Sequence, residues 1–237
     1  TVASAGGGNA GTPTNGSGGS TGTVNGTYQG RNYRLHVPSG YSASTPSPLV
    51  IALHGAGDTW TNFHTTLAAT GWTSAANANN FILMTSQHLN SSRPSFLHLD
   101  SQGALDATAT SNEIAGVILA AYYGVGADYN IETEKIYMIG FSEGAVVTDL
   151  AAYWYSDNRR AVATYAGGVT GKPLPVSRDI PVYGICGTSD SGYNGAQAAL
   201  AEWTSGGHTT NSAWVSGIGH SFSGLCSSGP SPNSVYQ

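Results

Sequence analysis

Short, uninterrupted apolar runs recur along this chain, separated by stretches in which apolar and polar residues mix. Residues 48–53 (Pro-Leu-Val-Ile-Ala-Leu), 81–84 (Phe-Ile-Leu-Met), 135–139 (Lys-Ile-Tyr-Met-Ile), 161–165 and 180–186 are the main runs. A run without polar alternation suits a strand buried on both faces of a parallel sheet. Residues 212–216 suit a last strand, and residues 23–28 and 31–37 suit an N-terminal hairpin around Asn32. Between these runs the spacing predicts helices. One spans residues 61–79 and breaks near Gly71; one spans 112–123 with Ser111 as its N-cap; two more cover 145–155 and 196–203. Strand and helix alternate, which predicts an α/β domain with a mostly parallel central sheet and helices on both faces. Ligands of such sheets sit at the carboxyl ends of the strands.

Two stretches fall outside this rhythm. Residues 1–22 are Gly, Ser, Thr, Asn and Ala with little to bury, so they read as a flexible tail or linker, with a polymer-binding module as its expected neighbour before residue 1. The domain proper is then 23–237. Residues 86–110 lack a period, and a loop of that length in a compact domain is often functional.

The strand at 135–139 runs into Gly140-Phe141-Ser142-Glu143-Gly144 and then into an apolar helix. Strand, Gly-x-Ser-x-Gly, helix is the setting of a nucleophile elbow, a sharp turn that presents a serine hydroxyl. A second such motif, Gly18-Gly19-Ser20-Thr21-Gly22, has neither strand before it nor helix after it, so Ser20 is expected to be structural. Three other strand ends carry chemistry: His54-Gly55-Ala56-Gly57-Asp58, Gly187-Thr188-Ser189-Asp190 and Gly217-Ile218-Gly219-His220. A serine hydroxyl is a weak nucleophile until an imidazole takes its proton, and the imidazole needs a carboxylate to fix its tautomer. Ser142, Asp190 and His220 stand in the order serine, acid, histidine found in α/β-hydrolases. An oxyanion needs preorganised N–H donors, expected from Glu143, the residue after the nucleophile, and from Ala56. Asp149 and Asp179 are rival acids, but neither follows a strand end. His54 suits loop organisation better than base chemistry. The Glu143 side chain is expected in solvent at the helix N-terminus. Trp60, Phe96, Trp154 and Tyr193 are candidate substrate-stacking residues, although core or surface packing is the reading each favours.

Composition narrows the partners. Charged residues make up 9 % of the chain and its net charge is −5, so it has no basic footprint for nucleic acid. No apolar stretch is long enough to cross a bilayer. The chain begins at Thr1 and its scarce charge is replaced by Ser, Thr, Asn, Gly and Tyr, which points to a secreted protein with its export signal removed. No Cys-x-x-Cys or His-x-His spacing suggests a metal, and no cofactor is expected. The two cysteines, Cys186 and Cys226, fit either one disulfide or two buried thiols.

Gly30-Arg31-Asn32-Tyr33-Arg34-Leu35-His36-Val37-Pro38, residues 48–57, Gly140 to Gly144, Gly187 to Asp190 and Gly219-His220-Ser221 together resemble the secreted feruloyl/acetyl-xylan esterase and polyhydroxyalkanoate depolymerase group of α/β-hydrolases. The resemblance runs from about residue 26 to 225. It implies Ser142 as nucleophile, Asp190 as acid, His220 as base, and the amides of Ala56 and Glu143 as the oxyanion hole. Many members carry Cys at the Ala56 position and Gly at the Ala145 position. Depolymerase-like members often have a Cys-Trp-Asn-Trp run where this chain has Pro94-Ser95-Phe96-Leu97. The expected function is therefore that of a monomeric serine esterase on feruloyl or acetyl esters of plant polysaccharide, with a polyester depolymerase as the alternative and an inactive binding scaffold as the second alternative. If Asp190 and His220 hydrogen-bond, the segments bearing Cys186 and Cys226 are neighbours, and a disulfide between them is expected.

Overall fold

A computed structural model describes residues 12–236 except 159, 173–175 and 177. The described residues form an eight-stranded sheet in the order β1-β2-β4-β3-β5-β6-β7-β8. The N-terminal hairpin is β1 (Gly22–Tyr28) and β2 (Arg31–Val37), and β2 pairs antiparallel to β4 (Ile82–Ser86). From β4 onward the sheet is parallel, through β3 (Ser47–Leu53), β5 (Ile131–Phe141), β6 (Ala161–Tyr165), β7 (Val182–Gly187) and β8 (Thr210–Val215).

The central strands are buried on both faces, as their unbroken apolar runs require. Along β3, Leu49, Ile51 and Leu53 enter one core cluster while Val50 and Ala52 enter the other. Helix α1 (Trp60–Ala69) and helix α2 (Trp72–Asn79) cover the second cluster, with Phe63, Leu67 and Trp72 buried against it. The other face carries α3 (Ala107–Leu119), which continues through a π-helical turn (Ala120–Val125) into the short α4 (Gly126–Asp128). It also carries α5 (Glu143–Trp154) and Trp203 of α6 (Tyr193–Ser205). Two short helices, α7 (Phe222–Ser228) and α8 (Pro232–Tyr236), close the chain on the α1–α2 side, where Phe222 packs against Phe63 and Tyr236 against Phe81.

Two sequence expectations change here. The helix expected from Asn112 begins at Ala107, because the Asp106 carboxylate accepts the Ala109 N–H and caps it one turn earlier than Ser111 would. Ser111 is buried and bonded to Tyr155 instead. Within the expected tail, residues 1–11 lie outside the described residues, but Thr12 to Thr21 is not a free tether. Thr14 exchanges hydrogen bonds with the Tyr129 carbonyl and the Ile131 N–H, the Gly18 N–H donates to Asp128, and the Tyr129 hydroxyl donates to the Ser20 carbonyl. Backbone groups and the hydroxyls of Thr14 and Tyr129 supply these bonds, so a segment with almost no apolar side chains still docks.

Candidate active site

The elbow strains one residue and crowds its neighbours. Ser142 lies at φ 57° and ψ −121°, a region non-glycine residues rarely adopt. Its N–H donates to the Tyr165 carbonyl at the end of β6, and its carbonyl accepts from Ala145 and Val146 at the start of α5. The two motif glycines are sterically required. A Cβ on Gly140 would stand 2.1 Å from the Gly144 carbonyl oxygen, and one on Gly144 would stand 2.3 Å from that of Leu53.

The acid and the histidine arrive on the loops after β7 and β8. The Asp190 side chain is buried, its Oδ1 accepting the Gly192 N–H at 2.8 Å. Its Oδ2 lies 2.7 Å from His220 Nδ1, and His220 Nε2 lies 2.9 Å from Ser142 Oγ. With Nδ1–H donating to the carboxylate, Nε2 is left as an acceptor for the serine hydroxyl. The imidazole is half exposed, so the serine end of the chain opens to solvent. Phe141 lies with its ring centre 4.9 Å from that of His220 and supports one face of it. In the sequence, the only signal for Phe141 is its position next to Ser142.

The acid and histidine loops are stitched by backbone bonds, not by sulfur. The Thr188 N–H donates to Val215, the Ser189 N–H to Ile218, and the Gly217 N–H to the Thr188 hydroxyl. The expected Cys186–Cys226 disulfide is absent: both cysteines are free. Cys186 is buried at the end of β7, while Cys226 on α7 points at Thr70 and Trp72. Burial pushes each thiol up to about 11, away from the reactive thiolate form.

Glu143 is the first residue of α5, so its N–H has no partner within the helix. Ala56 sits on the exposed loop after β3, held by the Gly57 N–H on the Pro94 carbonyl and the Asp58 N–H on Gly55. The Glu143 side chain does not point to solvent as expected. Both its oxygens are bound, one by the Arg93 guanidinium and one by the Ser95 hydroxyl.

The remaining candidates separate. His54 is buried, donates from Nδ1 to the Gly55 carbonyl at 2.8 Å, and is held below the ordinary histidine range by burial. It organises the loop. Phe96 is 1 % exposed and packs 4.7 Å from the His54 ring, so it is core and not a stacking surface for substrate. Trp60 is half buried, with the Arg34 guanidinium 5.4 Å from its ring centre. Tyr193 is half buried beside the Asp190 loop and meets Trp214 edge-on at 5.6 Å. The rival acids are both committed elsewhere: Asp149 to Lys172, and Asp179 to Thr209 and His208. Among the described residues no group of acidic, histidine and cysteine side chains forms a metal site, and no helix is long and apolar enough to cross a membrane.

No family model matches the sequence. It is 31 % identical over 135 residues to poly(3-hydroxyalkanoate) depolymerase C of Paucimonas lemoignei, covering 56 % of this chain and 30 % of that protein. It is 27 % identical over 165 residues to a bifunctional acetylxylan esterase/xylanase of Neocallimastix patriciarum, covering 70 % of this chain and 22 % of that protein. The chain thus spans less than a third of the length of these curated relatives. Among solved structures, a CE1 ferulic acid esterase of Anaeromyces mucronatus superposes with a TM-score of 0.60 at 18 % identity, covering 88 % of this chain and 87 % of that one. With this strand order, this elbow and this superposition, the chain has the α/β-hydrolase fold.

Proposed function

We propose that this α/β-hydrolase fold cleaves carboxylic esters through an acyl-enzyme on Ser142. The observation that carries the reading is the continuous hydrogen-bonded chain Ser142–His220–Asp190, standing at the carboxyl edge of the sheet on a strained elbow. Ser142 Oγ attacks the ester carbonyl carbon while its proton passes to His220 Nε2. The carbonyl oxygen becomes an oxyanion facing the Glu143 and Ala56 N–H groups. The bond to the alcohol oxygen then breaks, and His220 returns the proton to that leaving group. Water, deprotonated by His220, attacks the acyl carbon, and collapse of the second oxyanion releases the acid and restores Ser142. Asp190 holds the imidazole tautomer and stabilises the imidazolium throughout. His54 does not compete as base: burial weakens its basicity, its Nδ1 is bound to the Gly55 carbonyl, and His220 is the imidazole on Ser142 Oγ.

The substrate we favour is a feruloyl or acetyl ester on plant polysaccharide. The acetylxylan esterase relative and the superposition on a ferulic acid esterase support it. So does the absence of a Cys-Trp-Asn-Trp run at residues 94–97. This reading places the domain outside the cell, in keeping with its scarce charge. A polyester is the second reading. The depolymerase relative favours it, and so do Leu89, Leu99 and Leu105, which stand exposed on the long loop after β4 and would suit an apolar solid. An inactive binding scaffold is disfavoured, because such a scaffold has no use for a serine aligned on a histidine–carboxylate pair.

Two measurements test this. Ser142→Ala should lower ester hydrolysis by several orders of magnitude and abolish labelling by an organophosphonate, while Ser20→Ala changes nothing. Retained turnover in Ser142→Ala would sink the mechanism. Side-by-side assays on methyl ferulate, acetylated xylan, polyhydroxybutyrate particles and tributyrin rank the substrates. Clearing of polyhydroxybutyrate without release of ferulate or acetate reverses the substrate preference and leaves the mechanism intact.

A further inference from the structure

The two oxyanion donors assigned above come from separate elements, the loop after β3 and the N-terminus of α5. Three consecutive residues of a third element touch both. The Pro94 carbonyl accepts the Gly57 N–H at 2.9 Å, next to Ala56. Arg93 and Ser95, on either side of Pro94, bind the two carboxylate oxygens of Glu143. The bridge is itself braced. The Ser95 N–H donates to the Arg93 carbonyl at 2.8 Å, the Leu97 N–H to Ser95 Oγ at 2.9 Å, and buried Asn90 accepts the Ser92 N–H and donates to the Leu97 carbonyl. Phe96 wedges against His54, at the root of the Ala56 loop. Ser95 is buried, and the Arg93 and Glu143 side chains are mostly covered.

We propose that Arg93 and Ser95 are positioning residues that set the oxyanion hole by clamping Glu143, with Pro94 locking the opposing donor to the same peptide segment. This inference rests on the serine-esterase reading. Its physical basis is that an oxyanion donor works only when it is preorganised at the place where charge develops. Removing one such donor outright costs about a hundred- to a thousandfold in kcat. Loosening it by a fraction of an ångström costs less, so we expect a loss of about ten- to a hundredfold for Ser95→Ala or Arg93→Met. The loss should fall on kcat with KM nearly unchanged, because the ground-state carbonyl uses these donors weakly. The residual charge of Arg93→Lys should restore part of the rate.

The test is steady-state kinetics on a soluble aryl ester, together with the affinity of a boronic acid that mimics the tetrahedral adduct. Arg93→Met, Ser95→Ala and the near-isosteric Glu143→Gln should each lose boronate affinity in step with kcat/KM. The double variant Arg93→Met/Glu143→Gln should be no worse than the poorer single variant, since the two residues act as one unit. Unchanged kcat and boronate affinity, or losses that add in full, would overturn the clamp. A rise in KM at constant kcat would also overturn it, since it would make these residues ordinary substrate contacts. If Arg93→Met does not fold, Ser95→Ala and Glu143→Gln carry the same comparison. Ser142→Ala separates the two levels. If that variant still turns over, the serine mechanism falls and the clamp with it. If Ser142 is essential and the clamp variants are as fast as the parent, only the clamp falls.

Discussion

Lys172 and Asp149 form an ion pair inside the protein, with Nζ 3.1 Å from Oδ2 and each side chain 2 % exposed. Asp149 also accepts the Val169 N–H at 2.8 Å and the Trp203 indole N–H at 2.5 Å. Lys172 reaches Glu202 at 3.2 Å and the Val169 carbonyl. The network therefore ties the segment after β6 to α5, the helix that carries the elbow, and to α6. Burial pushes the Asp149 carboxyl upward, and the Lys172 ammonium is the main force opposing that shift.

Removing one partner of such a pair should cost far more than the pair itself contributes. Lys172→Met leaves a buried carboxylate without its cation, at a cost of about 3–5 kcal/mol. Asp149→Asn/Lys172→Met should recover much of that loss. Urea unfolding of the two variants measures the difference. A single variant as stable as the parent would show the pair to be solvated.

Asp190→Asn is expected to keep the fold and lose kcat by about 10⁴-fold, because an amide N–H facing His220 Nδ1 selects the wrong tautomer. The His220→Ala/Ser142→Ala double variant should be no slower than either single one, since the group acts as a unit. Circular dichroism and single-turnover kinetics together check this. A loss for Asp190→Asn of less than tenfold would assign the carboxylate role elsewhere.

His64 should make the protein sensitive to mild acid. It is buried, and burial, with Arg34 and His36 adding to it, holds its imidazole at about 4 against an ordinary value of 6.5. Between those values the unfolded chain binds a proton that the folded chain refuses. Stability is therefore fully present above pH 6.5, falls as pH drops toward 4, and levels off below that. The full effect is at most about 3 kcal/mol for this group. Denaturation midpoints at pH 7 and pH 4.5 should differ, and His64→Gln should shrink that difference. An unchanged difference would place the acid sensitivity on other groups.

Both cysteines should titrate as thiols. In the native protein at pH 8 they should react slowly with a thiol reagent, because burial holds each near 11. Unfolding without reductant should release two thiols per chain. Finding none would restore the disulfide.

Much of the candidate site was legible because its signals are local. Ser142, Asp190 and His220 each follow a recognisable strand, and a parallel sheet puts strand ends on one edge whatever the details of packing. The pairing of β6 with β7 and of β7 with β8 then brings Asp190 and His220 into reach. Arg93 and Ser95 were not legible. They lie on a loop without a period, and their partner Glu143 is 50 and 48 positions away. Whether Phe96 packs in the core or faces substrate stayed open for the same reason, since an aromatic on a loop carries no mark of which way it faces, and its burial decided for the core.

What the amino-acid order determined alone is the succession of strands and helices, the mostly parallel sheet and the edge on which the candidate site stands. Apolar runs and glycine positions act over a few residues and need no knowledge of the rest of the chain. Only the tertiary structure decided that residues 12–21 dock, that the acid and histidine loops are joined by backbone bonds while the cysteines stay apart, and that Glu143 is clamped by Arg93 and Ser95. These outcomes depend on which groups meet after the sheet closes. Burial then makes each unmet hydrogen bond or charge costly, so long-range partners, and not local pattern, settle them.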